Sequence, residues 1–497
     1  MITNMPQFIK NFTFGKLSLI KLFMILLCTL LLSGITSIAQ PITWQRTYVH
    51  PNFPYAAANS ICAADGNNFY VVGYAGFSVF TLKLNPLGDT LWRNTIDFGG
   101  LGKTGYASCS DGNGGCIVSG DGDTAFLANI NQNGDINWYK NYSTRFVTIL
   151  NILKTSDNGY IACGRKLGGD YHGYAIKTDS SGNLVWQKTY LSTEFKSYEQ
   201  IVELDNGGCM LLGSVQDVSP GVQYVLMTRI GDSGEIIWEK RHSVTGIEAN
   251  GKRIIKIQSG FLISGSTPDS AGSGANGYLM KTDTSGNKLF EKRLSSDEPE
   301  NLTDIKLVNS NKLLITLIRY TANAGEYSRV LITDSLGVIT KEKSFSPGSY
   351  GYIYFNSIML TANGDYIFAG LSELDSNSSN EKCYVARTDS NLFAPPIGVI
   401  TNNVEIVKDF KLYQNYPNPF NPLTKIEFEL AAVSYVKLSV FDVAGRTVAI
   451  LLNGVLRSGK HQVELNSSVY NLSSGVYFVR LEPEKRSSLS IKIIVLK

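Results

Sequence analysis

The chain has 497 residues, 45 basic and 42 acidic side chains, a formal net charge of +3 and 47 glycines. This length exceeds what one small core needs, so we expect two or more domains. The near-balanced charge gives no electrostatic reason to bind nucleic acid or an anionic membrane. Many glycines together with Tyr, Val, Ile and Thr indicate β-structure with frequent turns.

The first 39 residues have the features of a secretory signal peptide. Three lysines precede an apolar run at 22–32, and Ser37-Ile38-Ala39 offers small residues where a signal peptidase reads. We predict cleavage between Ala39 and Gln40. The alternative is a membrane anchor, but the run is short against the roughly 20 residues that spanning needs. Cleavage removes three lysines and no acid, so the charge falls from +3 to 0, and no transmembrane segment is predicted afterwards.

Two phrases alternate through residues 40–396. The first is an Asp/Asn/Gly turn between apolar runs, as at Asp205–Gly213 (DNGGCMLLG); the second is a strand, a turn and a second strand, as at Tyr224–Lys240 (YVLMTRIGDSGEIIWEK). Asp-Gly and Asn-Gly between apolar runs are strong hairpin signals. We call the four predicted strands of one repeat A, B, C and D. Four short strands in about 45–50 residues are typical of a β-propeller blade.

The last strand of each repeat carries a large side chain at one position. Successive members are 46 to 52 residues apart: Trp44, Trp92, Trp138, Trp186, Trp238, Phe290 and Lys341. Because the aromatic recurs at a fixed offset from the turn, we predict that it packs between neighbouring blades. The alternative is a row of ligand-stacking rings.

Counting the phrases predicts how the ring closes. Seven A–B–C sets follow one another, but the first D strand, Ile42–Val49, precedes them all, and the last set runs into Pro395-Pro396 without a D strand. We therefore predict a seven-bladed propeller in which the N-terminal strand completes the last blade. This arrangement leaves no open sheet edge.

After Pro396 the repeat ends. We expect a linker at 397–409 and a second module at 410–497, where short alternating strands between turns favour a small Ig-like β-sandwich. Three prolines within six residues, Pro417, Pro419 and Pro422, predict an extended segment at its start.

Both parts resemble known families. The WQKTY, DNGGY-x-I-x-G and K-T-D-S-x-G-N phrases resemble secreted bacterial β-propeller repeat proteins, a family that implies no general activity. The tail closely resembles the type A C-terminal sorting domain of the type IX secretion system. This resemblance implies export across the outer membrane of a Bacteroidota-type bacterium, with the secretion machinery as partner. The matching positions include Tyr416, Pro417, Asn418, Pro419, Phe420, Asn421, Pro422, Gly445, Gly475, Tyr477 and Lys497.

Signals for catalysis and cofactors are weak. The four histidines are isolated, and no common catalytic or nucleotide-binding motif occurs. Asp121-Gly122-Asp123 hints at calcium but lacks the full alternating ligand series, so we interpret it as a solvated turn. Cys109 and Cys116 flank a tight turn, where a disulfide and two buried thiols are both compatible with the sequence.

The variable connections are the place for a ligand. The D–A and B–C connections share one rim, and the D–A segments carry these aromatics: Tyr48, His50, Phe53, Tyr55, Phe98, Phe146, Phe195, Tyr198, Tyr350 and Tyr352. Such loops often bind ligands, but we favour the interpretation that the rings plug the blade tops. The sequence favours a non-enzymatic module that binds a glycan or a protein. The alternative is a polysaccharide hydrolase or lyase with paired carboxylates on this rim.

Overall fold

The computed structural model describes residues 42–50, 52–96, 102–121, 124–142, 146–167, 171–219, 221–268, 275–294, 298–321, 325–347, 351–373, 381–395, 411–430, 434–456, 459–483 and 488–496. The chain divides into two compact units, Met1–Ile397 and Gly398–Lys497. The predicted cleavage site between Ala39 and Gln40 and the predicted linker lie outside the described residues.

The described residues of the first unit form seven sets of four antiparallel strands, which confirms the predicted blades. Strand β1 is described below. Blades one to three contain β2 to β13, four strands to a blade. Blade one is Ala56–Ala63, Phe69–Ala75, Ser78–Leu84 and Thr90–Ile96; blade two is Thr104–Ser110, Cys116–Asp121, Phe126–Ile130 and Ile136–Asn141; blade three is Val147–Lys154, Tyr160–Leu167, Tyr171–Thr178 and Leu184–Tyr190. One 3-10 turn, Asp65–Asn67, joins β2 to β3.

Blades four to seven continue the same order. They contain β14 to β28: Phe195–Glu203, Cys209–Gln216, Gln223–Ile230, Ile236–His242; Asn250–Ile257, Gly260–Pro268, Ala275–Thr282, Lys288–Arg293; Glu300–Asn309, Lys312–Thr321, Gly325–Asp334, Ile339–Phe345; Tyr352–Leu360, Tyr366–Glu373, Lys382–Thr388. A two-residue parallel pairing between β24 and β26 also joins blades six and seven.

The strand β1, Trp44–Tyr48, supplies the missing fourth strand of blade seven. It pairs antiparallel with β28, with Trp44 opposite Arg387 and Thr47 opposite Tyr384. The inner strand of blade one also meets blade seven, because Asn356 Nδ2 donates to the Ala58 carbonyl at 2.9 Å. The predicted closure by the N-terminal strand is confirmed.

The aromatic position on strand D lies between blades, as predicted. Each of the five indoles sits over a glycine in the C–D turn of the next blade, where a Cβ would come within 2.5–3.0 Å of a ring atom. Those glycines have φ between +74° and +93°, a region that other residues rarely adopt. The pairs are Trp44 with Gly88, Trp92 with Gly134, Trp138 with Gly182, Trp186 with Gly234, and Trp238 with Gly286.

The same turns receive hydrogen bonds from strand D. The indole N–H of Trp186 donates to the Asp232 carbonyl at 2.7 Å, and the Tyr190 hydroxyl donates to the Gly234 carbonyl at 3.0 Å. In the same way, the indole N–H of Trp44 donates to the Pro86 carbonyl at 3.0 Å, and the Tyr48 hydroxyl donates to the Gly88 carbonyl at 2.7 Å. The same short turn therefore packs against the ring of the preceding blade and accepts hydrogen bonds from it through its backbone carbonyls.

The junction between blades six and seven departs from this pattern. Lys341 replaces the indole and donates from Nζ to Asn391 Oδ1 at 2.8 Å. In the facing turn Leu392 takes the glycine position with φ +65°. The Leu392 side chain is 1% exposed and joins the buried cluster of Phe345 and Tyr366. A side chain from the turn thus occupies core space at the one junction where strand D carries no ring.

A second set of links joins the inner strands. Each inner strand carries a β-bulge, and at five junctions the side chain after the bulge accepts a backbone N–H from the next blade. The pairs are Ser60 with Ser108 at 3.0 Å, Asn151 with Ile201 at 3.3 Å, Gln200 with Ile254 at 2.7 Å, Asp304 with Ile358 at 2.8 Å, and Ser357 with Ile61 at 3.3 Å. At a sixth junction Arg253 Nε donates to Asp304 Oδ1 at 3.1 Å.

The second unit is a β-sandwich, as predicted. Its seven described strands, β29 to β35, are Lys411–Leu412, Leu423–Leu430, Ser434–Phe441, Thr447–Leu456, Gly459–Asn466, Gly475–Pro483 and Leu489–Val495. They form one sheet in the order β29-β30-β33 and another in the order β32-β31-β34-β35. Phe428, Leu438 and Val479 are fully buried in the shared core.

The described cysteines are all free thiols, so Cys109 and Cys116 do not form a disulfide. Cys116 and Cys209 start the B strands of blades two and four, which are separate sheets. Across the described part of the chain, no helix has the length and apolar character that a membrane crossing requires.

We predict that Trp44→Ala lowers the free energy of unfolding by about 3 kcal/mol, because it empties a buried ring site that holds the closing strand. Urea unfolding of the chain from residue 40 onward measures this change. Lys341→Ala is the matched control at the same blade position, and its exposed ion should cost less than about 0.5 kcal/mol. Equal losses in the two variants would contradict the role of the ring.

Candidate functional site

Some aromatics of the variable rim are buried, and the others are partly or fully exposed. Tyr48 and Tyr198 are buried plugs, and the Tyr198 hydroxyl donates to Thr228 Oγ1 at 2.9 Å within blade four. Phe53 packs against the His50 ring at 4.8 Å between centroids. Phe146 is 60% exposed. Phe195 packs near Tyr171 at 6.1 Å, and Phe98 and Tyr350 lie outside the described residues.

A polar and aromatic group lies where blade seven meets blade one, on the variable rim. Glu381, just before β28, accepts a hydrogen bond from Tyr74 at 3.0 Å through Oε2 and from Tyr352 at 3.0 Å through Oε1. The Tyr352 ring stacks on Tyr354 with centroids 4.8 Å apart and planes 20° apart. We call the following residues the seam cluster: Tyr55, Tyr74, Tyr106, Tyr352, Tyr354 and Glu381.

The backbone holds the seam cluster in place. The Ala56 N–H donates to the Glu381 carbonyl at 2.9 Å, which ties blade one to blade seven beside the carboxylate. Tyr352 and Tyr354 alternate along the start of β26, and Tyr74 is near the end of β3. All six members are half-buried, so each side chain has one face on protein and one towards solvent.

The surroundings of the cluster raise the pKa of two of its phenols, those of Tyr74 and Tyr352. Burial is the main cause that raises the pKa of Tyr74, and the neighbouring Glu381 carboxylate adds to it. For Tyr352 burial again comes first, followed by Glu381 and then Glu373, which also lies beside its hydroxyl. The cluster therefore offers hydrogen-bond donors, a charged acceptor and aromatic faces at neutral pH.

The histidines stay apart in the structure. His50 bonds Thr95 Oγ1 at 2.8 Å before blade one, and His172 and His242 lie in blades three and four. His461 stacks on Phe428 in the sandwich at 5.3 Å. Among the described residues no group of three or more His, Cys, Asp or Glu could hold a metal ion. Asp121 accepts a hydrogen bond from Thr148 Oγ1 at 2.9 Å, and Gly122 and Asp123 lie outside the described residues.

In the sandwich, the proline-rich segment binds along the terminal strand β35. Asn418 accepts from the Ile494 N–H at 2.9 Å and donates from Nδ2 to the Lys492 carbonyl at 3.2 Å. The Phe420 N–H donates to the Ile494 carbonyl at 3.0 Å, and its ring is 2% exposed in the core. The predicted motif is thus the internal support of the last strand.

The other predicted positions of this motif lie around that support. Tyr416 is 82% exposed while its backbone exchanges hydrogen bonds with Lys425 at 3.0 and 3.1 Å. The Pro417 carbonyl accepts from Thr424 Oγ1 at 2.8 Å, and the Pro422 carbonyl accepts from Ser467 at 2.8 Å.

The remaining motif positions complete the sandwich. Pro419 and Asn421 are exposed. Gly445 turns between β31 and β32 with φ +78°, and Gly475 begins β34. Tyr477 donates to the Ser473 carbonyl at 3.1 Å, and Lys497 lies outside the described residues.

Comparison with known proteins agrees with this arrangement. Residues 414–496 match the family model of the secretion system C-terminal sorting domain. This match identifies the tail as a type IX sorting domain, and it indicates export of the protein to the cell surface or extracellular space. No curated protein matches the chain.

Solved structures that resemble the chain do so distantly. A protein of unknown function from Bacteroides caccae is 15% identical, with a TM-score of 0.32, over 48% of this chain and 81% of that one. Sqt1 from Chaetomium thermophilum is 11% identical, with a TM-score of 0.41, over 68% and 97%. A point mutant of puromycin hydrolase complexed with PGG is 10% identical, with a TM-score of 0.45, over 77% and 61%.

We predict that Asn418→Ala destabilises the sorting module by about 2 kcal/mol, because two hydrogen bonds to the terminal strand are lost. Tyr416→Ala should leave the stability within about 0.5 kcal/mol, since its side chain is exposed. Thermal unfolding of the isolated module, checked first for folding, and export of the full chain are measured together. Loss of export in Tyr416→Ala without loss of stability would assign recognition to that ring. Unchanged stability in Asn418→Ala would contradict the support role of the segment.

Proposed function

We propose that the exported propeller is a non-enzymatic binding module that takes glycan chains at the seam cluster. This proposal rests on the grouping of five tyrosines around one fixed carboxylate on the variable rim. Aromatic faces pack on the apolar faces of sugar rings, while phenol and carboxylate groups bond to sugar hydroxyls. A module with this chemistry suits a protein that works outside the cell.

The geometry around Glu381 favours binding over proton transfer. Both of its carboxylate oxygens already accept phenol hydrogen bonds, and its backbone carbonyl accepts the Ala56 N–H. An acceptor held from three sides is well placed to orient a ligand. The two phenol donors also occupy acceptor positions that a general base would need for a substrate proton.

A polysaccharide hydrolase remains the second candidate because of one observation. Glu373 and Glu381 both lie beside the Tyr352 hydroxyl, so two carboxylates meet at one point of the rim. Glycoside hydrolases use such a pair, roughly 5–10 Å apart, as acid and base or as acid and nucleophile. In that case the tyrosines would hold the sugar while the two acids act on the glycosidic bond.

A polysaccharide panel distinguishes the two functions. We expect the chain from residue 40 to 397 to retain at least one polysaccharide in affinity electrophoresis without releasing reducing ends. Tyr352→Ala should weaken retention about tenfold, which corresponds to the loss of one stacked ring. Tyr171→Ala is the matched control, because this ring is on the same rim in blade three and is 38% exposed.

Glu381→Gln separates the outcomes further. For a binding module, polysaccharide retention falls moderately in Glu381→Gln, and neither the variant nor the unaltered chain releases product. For a hydrolase, product release by the unaltered chain falls by about a hundredfold or more in the variant. Retention that is equally affected by Tyr171→Ala, or absent for every polysaccharide tested, would overturn the seam cluster as the binding site.

A further inference from the structure

A cavity of about 250 Å³ lies on the face opposite to the variable rim, between blades two and three. The A–B and C–D turns form this face, which the sequence presents as nearly constant among the repeats. The lining includes Asp111 and Asn113 from the A–B turn of blade two, Asn129 and Asn137 from its C and D strands, and Tyr160 and Ser180 from blade three.

The floor of the cavity is a rigid polar network. Asp111 is 6% exposed, and its Oδ1 accepts the N–H groups of Asn113 at 2.8 Å and Gly115 at 2.9 Å. Its Oδ2 accepts from Asn129 Nδ2 at 3.0 Å, and Asn129 Oδ1 in turn accepts from Asn137 Nδ2 at 2.5 Å. These bonds fix the orientation of each amide, so the donors and acceptors that face the cavity are pre-arranged.

Tyr160 adds a phenol to the lining. Its side chain is 3% exposed and lines the cavity, and its hydroxyl is not one of the buried polar atoms that lack a partner among the described residues. A phenol hydroxyl that opens to a cavity can donate to a ligand and accept from it. Burial, with smaller contributions from Cys109 and Asp111, raises its pKa to about 12, so the hydroxyl is a donor at neutral pH.

The chemistry of the lining points to one class of ligand. Amide side chains both donate and accept, as sugar hydroxyls do. A calcium ion would need six to eight oxygen ligands that usually include several carboxylates, whereas this lining holds one carboxylate and both of its oxygens accept hydrogen bonds from protein. The volume also exceeds what an ion or one water needs, since a water takes about 30 Å³.

We propose that this cavity is a second binding site, which takes a neutral, hydroxyl-rich ligand of the size of one sugar ring. The site is independent of the seam cluster, because it lies on the other face and shares no residue with it. Asp111, Asn129 and Asn137 hold the ring hydroxyls, and the Tyr160 hydroxyl donates to one of them. A propeller with both sites would contact carbohydrate from two faces.

The test is a titration of the chain from residue 40 onward with glucose, galactose, mannose and N-acetylglucosamine, and separately with calcium chloride. Calorimetry and ligand-observed NMR at up to about 50 mM sugar detect binding in the millimolar range. We expect one of these sugars to bind. Tyr160→Phe should weaken its affinity about tenfold, since it removes the hydroxyl and keeps the ring.

Tyr366→Phe is the matched control. Tyr366 starts strand B of blade seven as Tyr160 does in blade three, but its hydroxyl is buried in the interior without a partner among the described residues. Its removal should leave sugar affinity unchanged. Circular dichroism checks that each variant is folded. Asn137→Ala is a second variant that alters a residue lining the cavity.

The experiments test the two proposed sites independently of each other. Sugar binding that survives in Tyr352→Ala and is lost in Tyr160→Phe supports the cavity whatever the seam cluster does. Four results would overturn it: no binding by any of the four sugars, binding of calcium in their place, equal affinity in Tyr160→Phe and the unaltered chain, or equal losses in Tyr160→Phe and Tyr366→Phe.

Discussion

The contact of an indole ring with a glycine in the next blade is the constraint on which the propeller depends. It recurs at five junctions, and each time the glycine provides both a positive φ and the space that a Cβ would fill. The contact fixes the distance and tilt between neighbouring sheets. At the junction of Lys341 and Leu392 both partners differ together, whereas Gly337 keeps the positive φ with aliphatic side chains as its nearest neighbours.

These links leave the two faces of the propeller with different freedom. The turn face carries the glycines and indoles that set the blade spacing, so its backbone is nearly uniform. On the variable rim, residues from different blades gather, as Tyr74 of blade one and Tyr352 of blade seven do around Glu381. The cavity shows that the turn face also admits variation, because Asn129 stands opposite its indole where other blades carry a long basic side chain such as Lys83 or Lys177.

The periodic part of this structure could be predicted from the sequence. Turn residues and strand D aromatics recur at short, regular spacing, so they reveal the blades, their number and the displaced strand β1. The sorting segment at Tyr416–Pro422 was recognisable for the same reason, because its residues are contiguous. The seam cluster was found only in part: Tyr55 and Tyr352 stood out as rim aromatics, but Glu381, Tyr74 and Tyr354 come from segments without a signal of their own. The bulge that directs Gln200 to Ile254 is likewise a backbone feature that hydrophobic pattern does not encode.

Hydrogen exchange of the closing strand tests the central claim most directly, because it reports whether β1 belongs to blade seven in solution. In the chain from residue 40 onward, the amides of Trp44–Tyr48 that face Lys382–Thr388 should exchange slowly, because β1 pairs with that strand. In a chain that begins at residue 52, the amides of Lys382–Thr388 that faced β1 should exchange much faster, since that partner strand is gone, while those bonded to Tyr366–Glu373 keep their protection. Rapid exchange at 44–48 in the longer chain, or unchanged protection at 382–388 in the shorter one, would contradict closure by the N-terminal strand.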